Sequence, residues 1–127
     1  MPVFLGLDEV LEIHGDQIER YGGSAGVRDM GLLQAALAMP EAGSRGRYFH
    51  VDLFEMAAAY LFHLVKDHPF VDGNKRVALA SALVFLEMNR VEVSATNEAL
   101  VSIVLGAVEG TRSKAAIAEF MRKHAGS

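Results

Sequence analysis

Within nine consecutive residues, His68-Pro69-Phe70-Val71-Asp72-Gly73-Asn74-Lys75-Arg76, the chain gathers a titratable base, a carboxylate, an amide and two cations. A helix that starts near Asn74 has no internal partners for its first amides, and its macrodipole adds partial positive charge there. Gly73 lets a phosphate approach the backbone closely, and Lys75 and Arg76 add full charges. The stretch reads as a phosphate cradle. Asp72, just ahead of it, is placed to hold Mg²⁺ against that phosphate, because Mg²⁺ favours one or two carboxylates plus phosphate oxygens. His68, expected in extended geometry before Pro69, is the group to take a proton from an incoming hydroxyl near neutral pH. Base, metal ligand and phosphate cradle are the parts of a phosphoryl or nucleotidyl transfer.

The elements that must position this turn read as helices. Leu53 to Val65 is apolar on nearly every side apart from Glu55 and His63, and Asn74 to Met88 is a second segment of the same kind. Helices like these belong in the centre of a bundle. Asp52 and Glu55 resemble a capping box at the start of the first, and Pro69 ends it. Leu7 to Tyr21 carries apolar residues on one face and stops at Gly22-Gly23. A short helix follows Asp29 and ends before Pro40, and Glu41 to His50 reads as a polar loop. Val91-Glu92-Val93 is extended; Thr96 caps a helix through Val108, and Ser113 caps a last one reaching His124. The expected fold is an all-α bundle, a single domain over 1–127, with two central buried helices joined by the reactive turn.

Composition narrows the function classes. At 127 residues with 51% hydrophobic and 22% charged residues, the chain has the make-up of one folded globular domain rather than a disordered one. Twelve Lys+Arg against sixteen Asp+Glu give a net charge of -4, so neither direct nucleic-acid binding nor a membrane surface is expected. The absence of Cys excludes disulfides and thiolate zinc sites and suits a reducing cytoplasm. The first residues lack the basic region of a secretory signal, and the longest apolar run, Val77 to Leu86, is too short to span a bilayer. No P-loop, dinucleotide-binding or nucleophile-elbow pattern occurs.

The nine-residue stretch resembles the signature of the Fic/Doc family, whose Fic branch reads HPFx(D/E)GNGR. Lys75 stands where that branch has its second Gly, as in the Doc (death-on-curing) toxins, and Leu79 stands where a second Arg is expected. Tyr21-Gly22-Gly23, Arg28-Asp29-Met30-Gly31 and the Ala-rich helix before His68 are also Doc-like, so the resemblance covers roughly Leu7 to Asn89. It implies that His68 is a general base, that Asp72 binds Mg²⁺, that Asn74 and Arg76 contact phosphates, and that Phe70 anchors the loop. In Doc toxins the Lys matching Lys75 crowds the α-phosphate site, ATP binds reversed, and the γ-phosphate is transferred instead of AMP. The resemblance thus implies Mg²⁺ and ATP as cofactors, a threonine of elongation factor Tu as target, and an antitoxin whose C-terminal segment folds onto the toxin. Pro69 and Gly73 match the Fic form instead, which keeps AMP transfer as the alternative, beside a catalytically silent member acting by protein binding.

Blander readings stand beside these. Taken alone, Asp72 would be a helix cap and Lys75-Arg76 a solvated first turn; the full pattern outweighs that. His63 lies five residues before His68 across the proline, without the spacing of a helical metal pair, and reads as a core or helix-surface residue. His14, His50 and His124 read as structural or exposed. Glu41 to His50, with Arg45 and Arg47, is the expected place of a flap facing the protein target. Ser94 to Glu98 begins like the family's inhibitory motif, but Ala99 breaks it and Thr96 reads as a cap.

Overall fold

Six helices carry the chain over residues 1–126, which the computed structural model describes: α1 (Leu7–Tyr21), α2 (Met30–Ala38), α3 (Leu53–Asp67), α4 (Asn74–Met88), α5 (Asn97–Glu109) and α6 (Lys114–Lys123). Four of them start at a capping side chain. Asp29 accepts from the Leu32 amide, Asp52 from Glu55, Thr96 from Ala99 and Ser113 from Ala116. Losing one such cap costs about 1 kcal/mol. The Asp52 cap is only half of the expected box, because the Glu55 carboxylate takes the Val51 amide (3.3 Å) rather than that of Asp52.

α3 is the axis of the bundle. It packs against α4, α6, α2 and α5, while α1 covers another side of α4. Accordingly Met56, Ala57, Ala58, Ala59, Tyr60, Leu61 and Leu64 are all buried on α3, facing every neighbour at once. Val77, Ala78, Ser81, Ala82, Phe85 and Leu86 do the same on α4. Each large apolar side chain buried in this way contributes about 1.5–3 kcal/mol. The Tyr60 hydroxyl accepts from the Leu5 amide (2.9 Å), and Asn89 bonds both the N–H and the C=O of Val3, which straps the first residues across the bundle.

The fold is all-α, with two minimal strand pairs. The segment expected as a loop forms a hairpin, β1 (Gly43–Ser44) against β2 (Arg47–Tyr48). Arg45 and Gly46 have φ of 55° and 76°, the left-handed pair that a two-residue hairpin turn requires. The extended residues after α4 form β3 (Glu92–Val93), which pairs with β4 (Ala125–Gly126) at the far end of the chain. α3 runs two residues further than expected, to Asp67, before Pro69 stops it.

Candidate active site

The turn from α3 to α4 is anchored by Phe70, which is fully buried. Its ring stacks on that of His14 from α1, with centroids 3.9 Å apart and planes 8° from parallel. His14 is itself 5% exposed and donates its Nε2–H to the Asp72 carbonyl at 2.8 Å. The segment after α1 runs alongside the turn. Val71 N–H donates to the Gly26 carbonyl, both Arg28 N–H and Asp29 N–H donate to the Pro69 carbonyl, and Val27 bridges Phe70. The Arg28 guanidinium donates to the carbonyls of His68 (2.7 Å) and Asp67 (3.0 Å), which α3 leaves open at its end.

His68 is exposed at the mouth of the cleft, in left-handed backbone geometry with φ 51° and ψ 53°. This corrects the expectation of an extended residue. Proline excludes the right-handed helix for the residue before it but leaves more than one escape. Here the chain takes the left-handed C-cap, at a cost of roughly 1–2 kcal/mol for a non-glycine residue, and the Arg28 bonds hold it.

Asp72 is exposed, and its carboxylate accepts one backbone N–H on each oxygen, from Ser24 (3.1 Å) and from Gly73 (2.8 Å). These two bonds, with help from the Arg76 and His14 charges, hold its carboxyl below the usual range. The approach needs Gly23: a Cβ there would stand 2.7 Å from Asp72 Oδ2, and φ is +117°. A carboxylate offers about four acceptor positions, so Asp72 keeps outward lone pairs and a fixed charge. Those properties fit a hard cation. No cluster of three or more His, Cys, Asp or Glu placed to hold a metal occurs among the described residues, and Mg²⁺ with phosphate oxygens does not require one.

The start of α4 forms the other wall. The Gly73 amide is taken by Asp72, whereas those of Asn74, Lys75 and Arg76 have no partner among the described residues. Lys75 is exposed and makes no ion pair among the described residues. Arg76 donates to the carbonyls of Gly22 (2.9 Å) and Gln17 (3.4 Å) and lies beside the Tyr21 ring, so it also closes the end of α1. Asn74 departs from the expected phosphate contact. Its side chain is buried and turned inward, bonded to Phe70 N–H, Phe70 C=O and His68 Nδ1, so only its backbone amide is left unbonded.

His68, Asp72, Gly73, Asn74, Lys75 and Arg76 therefore meet in one cleft of about 550 Å³, completed by Val65, Lys66, Val71 and Val108. Three cations and an open helix start stand there against one carboxylate, a locally cationic surface on a chain of net charge -4. The hairpin expected as a flap does not line the cleft. Four contributors escaped the sequence reading: His14, Ser24, Lys66 and the Arg28 guanidinium. Of these only Arg28 carried a signal, as part of the family-like Arg28-Asp29-Met30-Gly31.

The model of the Fic/DOC family matches residues 4–86, which include this turn and the helices on either side of it, and the chain belongs to that family. The chain is 39% identical over 121 residues, 94% of each protein, to "Protein kinase doc" of Escherichia phage P1. It is 47% identical over 75 residues to "Toxin Doc" of Mycolicibacterium smegmatis, 59% of this chain and 58% of the relative.

Proposed function

We propose that the protein is a Doc-type toxin that moves the γ-phosphate of ATP to a hydroxyl of a protein target, a threonine of elongation factor Tu, and so blocks translation. One observation carries the reading: a single cleft holds an exposed imidazole, a carboxylate kept charged, and an open helix start beside an unpaired lysine. The names of the two relatives, one a kinase and one a toxin, support it. His68 takes the hydroxyl proton. The amides of Asn74, Lys75 and Arg76, with the two cationic side chains, bind and orient the phosphates. Asp72 would hold Mg²⁺, which when bound offsets the charge of the phosphate oxygens. Lys75 takes up the room that a glycine would leave to the α-phosphate and favours the reversed nucleotide.

The partner is a cognate antitoxin, and action on translation places the protein in the cytoplasm. In keeping with that, no helix among the described residues is long and apolar enough to cross a membrane. AMP transfer is the second reading, favoured by Pro69 and Gly73, which match the Fic form of the motif. Induced expression tests the proposal: growth arrest is expected with the wild type and its loss with His68→Ala. Arrest that survives His68→Ala would overturn the enzymatic reading in favour of a binding-only protein.

A further inference from the structure

The oxygen and nitrogen of an Asn side chain take opposite roles in hydrogen bonding, and at Asn74 the backbone of Phe70 decides which is which. Phe70 N–H, which can only donate, lies 2.9 Å from Asn74 Oδ1, and Phe70 C=O, which can only accept, lies 2.9 Å from Nδ2. Turning the amide over would set donor against donor and acceptor against acceptor at a residue 6% exposed, where unpaired polar groups are costly. The atom 3.0 Å from His68 Nδ1 is therefore an NH₂ group. Nδ1 must offer its lone pair to it. A neutral imidazole carries one N–H, so the proton of His68 sits on Nε2, the ring nitrogen that Asn74 leaves free.

We infer that Asn74 latches His68 of the free protein in the tautomer with its proton on Nε2, so that the Asn74–His68 hydrogen bond must open before His68 accepts a substrate proton. A base receives the hydroxyl proton on a bare nitrogen, and in this tautomer the nitrogen that Asn74 leaves free already carries a proton while the bare one is bonded to Asn74. Either the ring turns to present Nδ1, or Nε2 gives its proton to water while Nδ1 takes one from water, with no change of charge. In the second case Nδ1–H faces the Asn74 NH₂, two donors, and the bond opens. Asn74 is thus a positioning residue that keeps the base turned off in the resting cleft. The catalytic consequence rests on the phosphoryl-transfer reading, whereas the tautomer rests on the hydrogen bonds alone.

Long-range proton–nitrogen correlation spectra of the ¹⁵N-labelled full chain at neutral pH, without nucleotide, test this directly. The His68 ring is assigned as the one whose signals vanish in His68→Gln. Nε2 couples to both carbon-bound ring protons and Nδ1 to one, so the two nitrogens are told apart. The expected result is a downfield, unprotonated Nδ1 and a protonated Nε2; a protonated Nδ1 overturns the inference. Asn74→Asp keeps an acceptor for Phe70 N–H but replaces the NH₂ with a carboxylate oxygen, and is expected to shift Nδ1 to its protonated position. A bare Nδ1 in folded Asn74→Asp would show that Asn74 does not select the tautomer. If that variant fails to fold, the wild-type spectrum still decides. Neither spectrum depends on activity, so the inference fails or stands separately from the kinase reading.

Discussion

His68 and Lys75 line the cleft and His14 supports the turn beneath it, and single substitutions separate the three. Lys75→Gly restores the residue of the AMP-transferring branch. Its expected effect is weaker γ-phosphate transfer with AMP transfer appearing, read with ATP labelled at either position; an unchanged γ rate would contradict the role of Lys75. His14→Phe keeps a ring stacked on Phe70 but removes the donor to the Asp72 carbonyl. Loss of one part-buried hydrogen bond costs about 1 kcal/mol, so the urea midpoint should fall and transfer should need more Mg²⁺. A Mg²⁺ requirement unchanged from the wild type in His14→Phe would contradict its positioning of Asp72. That His68 and Asp72 to Arg76 meet in one cleft was legible in the sequence because they are contiguous. His14, Ser24 and Arg28 were not, because they reach the turn from 58, 48 and 40 residues away. Nor does a motif string reveal that Asn74 spends its side chain inward on Phe70.

The helices were legible for local reasons. Asp29, Asp52, Thr96 and Ser113 cap the helices they precede, and Pro69 stops α3. The hairpin was not, since strands of two residues show no alternation to read. Left-handed His68 was missed because its conformation is held by Arg28, an interaction outside the local sequence. Arg28→Met removes both bonds to the end of α3 while leaving an apolar stem. Hydrogen bonds from a charged group contribute about 1.5–3 kcal/mol each, less at an exposed site, so a loss of about 2 kcal/mol is expected. Hydrogen exchange should speed up in the last turn of α3, and unchanged exchange there would contradict the role of Arg28 as its cap. Phe70→Ala, which empties the anchor of the turn, should cost about 3–5 kcal/mol in a denaturant titration.

Across the whole bundle, the loop before α3, α3 itself and α6 meet at a cluster of His50, His63 and Lys114. Lys114 Nζ lies 3.1 Å from His50 Nε2 and 2.9 Å from His63 Nε2, so both rings accept from one ammonium. Burial, then the Lys114 charge and His50, pushes His63 from 6.5 down to about 4. Between those values the unfolded chain binds the proton and the folded one does not. The stability that depends on neutral His63 is therefore full above pH 6.5 and is lost as pH falls toward and through 4. Thermal midpoints should drop as pH is lowered through this window, and His63→Gln, which still offers Lys114 an acceptor, should flatten the drop. Equal slopes for the two proteins between pH 6.5 and 5 would contradict the assignment.

The cleft is cationic in a chain of net charge -4, which fits a phosphate-rich substrate held locally rather than a polyanion held over a broad face. The reaction proposed for this cleft is transfer of the γ-phosphate of ATP to a protein hydroxyl. Label transfer to purified elongation factor Tu, run in parallel with α- and γ-labelled ATP and with His68→Ala as control, tests it most directly. Label from the γ position alone, abolished by His68→Ala, is the expected result. Label from the α position, or γ-label undiminished in His68→Ala, would contradict it.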